Sequence, residues 1–307
     1  MAETDPTDPD EPENPTASGG TPVTGTAAGV PYLAVPPATT EPAPLVVALH
    51  ALEPPRAEAA LAGALPMREL SAWRIYLGLP LFGERLPAGG VAEINRRGQD
   101  DYVAELFGPV VSEAAEELPS VVRELTVEFP VLPGHVGALG VGAGAAAVLL
   151  AAVEGLLPLT ATVAVNPVLH PSLATDARRR RRGIDYTWTA AAERQAARLD
   201  ILDRVPELTE RPGNPPLLVV TGENDAVVPP ERGEALVERA TAGYAPRSLR
   251  HLSIPGLAHT MGPEPGLAPA PPTPSTVLVD RAAEEWFDLH LTSGAESTHL
   301  LHRPDPA

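Results

Sequence analysis

The sequence predicts an α/β fold, a mostly parallel sheet flanked by helices. Three observations carry that prediction. Short apolar runs recur along the chain, among them Leu45–Leu49, Thr160–Val165 and Leu217–Val220. Runs of that length and composition suit strands buried on both faces. Helical segments separate these runs, and strand–helix alternation builds parallel sheets. At mid-chain, the apolar strand 136–141 passes through a glycine-packed turn into the helical segment 143–154. That segment is apolar all round, as suits a helix inside a domain, and Gly155 supplies its stop.

Composition sets the bounds. The 307 residues fit one α/β domain with tails. Their hydrophobic share of 44% is enough for a sizeable core. The net charge of −18 and the lack of a broad basic patch argue against a nucleic-acid partner. No cysteine is present, so disulfides, a thiol nucleophile and thiolate metal sites are excluded. All 22 basic residues are arginine, which excludes Schiff-base chemistry and a Walker-type phosphate loop. No metal or cofactor is expected. The Ala, Pro and Arg bias is that of a high-GC bacterial genome. The acidic start Met1-Ala2-Glu3-Thr4-Asp5-Pro6 has no apolar signal core, and no run of 18 apolar residues occurs. The expectation is a cytoplasmic protein without a membrane partner, its oligomeric state open to a homo-oligomer.

In chain order, residues 1–28 are Pro, Thr, Asp, Glu and Gly and are expected to be a disordered acidic tail. The folded domain is expected over 29–291. Val30–Val35 is a short edge strand limited by prolines, and 36–44 is a Pro/Thr-rich link. Strand 45–49 ends in His50-Ala51-Leu52. A helix over 57–65 stops at Pro66, and Trp73–Leu77 is the next strand. Residues 78–97 are expected as a loop, and 100–128 as one long helix, broken or kinked around Gly108-Pro109 and Pro119.

Past the central turn, strand 160–165 ends at Asn166-Pro167. Residues 168–206 then interrupt the rhythm. They hold the run Arg178–Arg182, expected as a solvated loop, then Tyr186, Trp188 and a helix over about 189–204. A functional alternative for the run is recruitment of an acidic substrate or partner. Strand 217–222 leads into Glu223-Asn224-Asp225-Ala226-Val227-Val228-Pro229. Helix 231–240 and strand 249–254 follow, then Pro255-Gly256-Leu257-Ala258-His259 and a proline-rich loop over 262–272. Thr273 as N-cap and Pro274 at the first position open a closing helix. Its expected apolar stripe is Val279, Ala282, Trp286 and Leu289. Residues 292–307 are expected as a flexible tail.

The central turn is Gly140-Val141-Gly142-Ala143-Gly144. A plain tight turn and a dinucleotide loop are both open to such glycines. The dinucleotide fingerprint, however, is G-x-G-x-x-G near the start of a fold, and here position 145 is alanine at mid-chain. The turn also resembles the nucleophile elbow of the α/β-hydrolases, G-x-S-x-G. The glycines at 140 and 144 match. The serine's place is taken by Gly142, which adopts the strained elbow backbone without penalty but supplies no nucleophile.

Three further segments resemble that family in order. His50-Ala51-Leu52 resembles the His-Gly loop after its third strand, with alanine for glycine, and implies Leu52 N–H and Ala143 N–H as oxyanion donors. His50 itself is taken as a loop anchor. G-x-x-D-x-x-V-P over 222–229 implies Asp225 as the triad acid, where the residues alone leave a turn aspartate open. His259 after the final strand implies the general base. The 168–206 insertion falls where the family carries a cap or lid. The likeness spans about 44–291 and is nearest to compact bacterial esterase, dienelactone-hydrolase or peptidase-like members.

The family hydrolyses ester, thioester, lactone or amide bonds with an activated serine, so the implied partner is a small ester-like molecule. Losing the triad serine costs on the order of 10⁶ in kcat and leaves about 10³–10⁴ over water. Three outcomes are open. The chain is a pseudoenzyme that keeps the fold as a binding or assembly module. Or His259 and Asp225 act directly as a base on water or on a substrate proton, as in hydroxynitrile lyases and cofactor-free dioxygenases. Or the elbow is a variant in an ordinary hydrolase.

Overall fold

The computed structural model describes residues 20–211 and 213–292. Tail residues 1–19 and 293–307 lie outside the described residues. Eight strands form one sheet: β1 Val23–Ala27, β2 Val30–Val35, β3 Ala43–Leu49, β4 Trp73–Leu77, β5 Val131–Val141, β6 Ala161–Val165, β7 Leu217–Gly222 and β8 Leu249–Ile254. Their spatial order is β1-β2-β4-β3-β5-β6-β7-β8. The β1–β2 and β2–β4 pairs are antiparallel, and every other pair is parallel.

The helices are α1 Glu58–Ala64, α2 Gly90–Asp100, α3 Gly108–Glu128, α4 Ala143–Glu154, α5 Pro171–Arg182, α6 Ala190–Arg198, α7 Val205–Thr209, α8 Pro230–Ala240 and α9 Pro274–Phe287. They cover both faces of the sheet. Strand β3 divides its side chains between two cores, as its period of two requires. Leu45, Val47 and Leu49 pack in the core that includes Val111 and Leu118 of α3 and the buried face of α4. Val46 and Ala48 pack in the core that includes Leu61 of α1 with Val279 and Trp286 of α9. Burial on both faces is why β3, β6 and β7 are continuous apolar runs.

Several local expectations change. Strand β1 lies inside the stretch expected as disordered tail, so the folded part begins before residue 29. Its Val-Thr-Gly-Thr-Ala sequence carries no apolar run, and the strand forms because it pairs with β2. Ala28 and Gly29, both at positive φ, make the hairpin turn between them. The expected loop 78–97 contains most of α2, a helix laced by Arg96 and Arg97 on Glu93.

The expected long helix 100–128 is a π-type turn over Tyr102–Phe107 that passes directly into α3 at Gly108, and α3 runs on through Pro119. The arginine run is the end of α5 rather than a loop, with Gly183 in the left-handed conformation as its cap. In α9 the buried face is Val279, Ala283, Trp286 and Phe287, while Leu289 is 52% exposed. Thr273 caps α9 as expected, accepting from Thr276 N at 3.2 Å.

Candidate functional site

Strand β5 hands the chain to α4 through one residue. Gly142 sits at φ 56°, ψ −111°, a backbone that side-chain-bearing residues rarely adopt. Its N–H donates to Val165 O at 2.9 Å, which fixes the turn to β6. The flanking glycines answer a different need, close approach. A Cβ on Gly140 would stand 2.3 Å from Gly144 O, and one on Gly144 would stand 2.4 Å from both Leu49 O and His50 O. A Cβ on Gly142 would stand 3.1 Å from Ala51 Cβ and 3.7 Å from His259 Nε2. The vacant side-chain direction at 142 therefore faces the imidazole.

Asp225 follows β7, and its carboxylate is fully buried. Oδ1 accepts from Val227 N at 2.6 Å and Val228 N at 2.8 Å, which aims Oδ2 at His259 Nδ1, 2.8 Å away. Asn166, buried at the end of β6 with φ 46°, braces both loops. Its side-chain oxygen accepts from Gly222 N at 2.9 Å, and its amide donates to Ala258 O at 2.9 Å. The sequence signal for this brace was the Asn-Pro that ends an apolar strand. Arg180 of α5 adds a further tie, donating to Ala226 O at 2.7 Å.

His50 is fully buried. Its Nδ1 donates to Ala51 O at 2.8 Å, and Nε2 accepts from Leu79 N at 3.2 Å. Burial pushes its pKa down to about 4, so it is a neutral loop anchor. Among the described residues, neither Leu52 N–H nor Ala143 N–H has an acceptor.

One residue of the site escaped the sequence reading. Glu53, just beyond Leu52, places Oε2 3.7 Å from His259 Nε2. The imidazole, only 6% exposed, thus lies between two carboxylates. Burial alone would lower its pKa. The hydrogen bond with Asp225 and the interaction with Glu53 overcome burial and push it up to about 9. Burial would raise the Glu53 carboxyl, yet His259 holds it below its ordinary value. Both carboxylates thus favour the protonated ring over the neutral one.

A cavity of about 970 Å³ opens beside this cluster. Leu52, Glu53 and Val227 reach it from the site, Tyr102 and Leu106 from the π-type turn, and Arg178, Arg181 and Arg182 from α5. The 168–206 insertion supplies one wall of the cavity, through Ala174, Arg178, Arg181 and Arg182 of α5. Asp101 anchors it: its carboxylate accepts from Tyr186 Oη, and from Thr189 Oγ1 at 2.7 Å. Among the described residues, no group of three or more His, Asp or Glu side chains is placed to hold a metal ion, and no helix is long and apolar enough to cross a membrane.

No family model matches the sequence, and no curated protein matches it. Solved structures match the fold throughout. The protein TT1662 from Thermus thermophilus is similar at a TM-score of 0.61 and 21% identity, over 87% of this chain and 98% of that one. Est1E from Butyrivibrio proteoclasticus is similar at 0.57 and 15%, over 89% and 100%. A puromycin-hydrolyzing peptidase of Mycobacterium tuberculosis is similar at 0.64 and 16%, over 91% of this chain and 40% of that one. Together with the eight-stranded, mostly parallel sheet, these likenesses define the class: the chain has the α/β-hydrolase fold. At such identities they leave the chemistry to the site.

Proposed function

We propose that this chain is a hydrolase-fold protein that holds a small ester-like or acyl-type molecule in its cavity without serine-hydrolase turnover. The observation that carries the proposal is at His259 Nε2. The catalytic cycle of a serine hydrolase needs a hydroxyl there, for the ring to take its proton. Here Nε2 faces Gly142 and the Glu53 carboxylate. Asp225 orients the ring, and Leu52 and Ala143 keep free N–H groups for a ligand oxygen, so the binding parts of the machinery persist without the group they serve. The alternative, His259 acting directly as a base, needs a neutral imidazole, and the two carboxylates oppose that.

The test is labelling with a serine-directed fluorophosphonate, run beside hydrolysis of short p-nitrophenyl esters at pH 7.5. The expected result is no labelling, and turnover no faster than that of a His259→Ala protein. Stoichiometric labelling, or turnover that His259→Ala abolishes, would overturn the proposal.

A further inference from the structure

The five arginines at the end of α5 divide into two groups. Arg178 donates to Gly98 O at 3.0 Å and lies 4.3 Å over the Tyr102 ring. Arg179 pairs with Asp176 at 3.4 Å, and Arg180 donates to Ala226 O at 2.7 Å. Arg181 and Arg182 have neither hydrogen bond nor ion pair among the described residues, and both line the cavity. Positions 178, 181 and 182 share one helical face, and that face is turned to the cavity. In a chain with 40 acidic residues against 22 arginines, two exposed guanidiniums stand together at this wall, with Arg181 helping to lower the Glu53 carboxyl.

The rest of the wall supplies the second half of a ligand's chemistry. Leu52, Phe82 and Leu106 line the interior. Leu86, Val91 and Leu267, exposed by 45%, 62% and 54%, stand at the same cavity. Large apolar side chains left to water around a cavity mark a surface that a ligand covers.

Building on the reading that the site holds its ligand, we infer that the cavity binds an organic carboxylate with an extended apolar body, its head group on Arg181 and Arg182. A guanidinium recognises a carboxylate by paired N–H donors. Glu53, Glu58, Glu84 and Glu264 line the same cavity against Arg56, Arg178, Arg181 and Arg182, a lining with no excess positive charge, which favours a monoanion over a dianion. The volume of about 970 Å³ is at the upper end of small-molecule sites.

Calorimetric titration of the full chain with octanoate, octanamide and inorganic phosphate at pH 7.5 tests this. Octanoate is expected to bind at least tenfold tighter than octanamide. The double variant Arg181→Ala/Arg182→Ala is expected to lose that preference while still binding octanamide, and Arg179→Ala is expected to keep it. Equal affinity for octanoate and octanamide would overturn the inference, as would loss of both ligands in the double variant or phosphate binding as tight as octanoate. Fluorophosphonate labelling of the same preparation reads the non-hydrolytic proposal separately, since a labelled protein can still show the carboxylate preference.

Discussion

Oε2 of Glu53 stands 3.7 Å from Nε2 of His259, the same ring nitrogen that a Cβ at residue 142 would approach to 3.7 Å. The ring nitrogen that gives the fold its chemistry is thus turned to a carboxylate. The consequences can be measured.

The first is the charge of His259. Its ring resonances are expected to titrate with a pKa of about 9, and Glu53→Gln is expected to lower that value by about one to three units. NMR of the imidazole reads both. An unmoved titration in Glu53→Gln would show that Asp225 alone sets the charge.

Stability follows from the same shift. The folded pKa lies above the ordinary histidine value of about 6.5, so the folded state binds the extra proton. The contribution is full below about pH 6.5 and is lost as pH rises through about 9, on the order of 3 kcal/mol by linkage. The urea midpoint is expected to fall across that window, and His259→Gln is expected to lack this component of the fall. A wild-type midpoint flat from pH 6.5 to 9.5 would contradict the assignment.

Restoring the serine is expected to be insufficient by itself. In Gly142→Ser the new hydroxyl meets an imidazolium, so p-nitrophenyl ester turnover at pH 7 stays low and rises as pH passes about 9. Gly142→Ser/Glu53→Gln frees the ring and is expected to exceed the single variant at least tenfold at pH 7. Equal rates in the two proteins would remove Glu53 from the account.

The elbow glycines are expected to rank by what a methyl group would meet. Gly140→Ala and Gly144→Ala drive Cβ to within 2.4 Å of backbone atoms and are expected to cost about 3 kcal/mol or more. Gly142→Ala meets nothing closer than the Ala51 methyl, at 3.1 Å, and is expected to cost about 1–2 kcal/mol, mainly for its positive φ. Urea denaturation of the three variants gives the order directly.

Asp225 holds two loops as well as a charge. Asp225→Ala leaves two buried N–H groups and a buried imidazole without their acceptor. A loss of about 3–5 kcal/mol is expected, with the His259 pKa falling at the same time. Denaturation and the NMR titration check the two effects independently.

The sequence by itself determined which runs are buried strands and where the tight strand-to-helix turn falls. Buried strands such as β3, β6 and β7 must be apolar throughout, and glycine spacing at a tight strand-to-helix turn is a local necessity, so both are written in consecutive residues. Gly142, Asp225 and His259, which the structure brings together, each sit just past a strand end, where a sequence pattern can single them out. Only the tertiary structure decided what surrounds them. Strand β1 exists through pairing with β2, and Asn166 matters through carbonyl and amide groups of two distant loops. The arginine run had a helix and a cavity to face, which charge alone does not reveal. Glu53 shows the limit most plainly. Nothing in Leu52-Glu53-Pro54 marks it as the partner of a distant histidine, because that contact is made by the loops after β3 and β8, which meet beyond the C-terminal ends of the parallel strands.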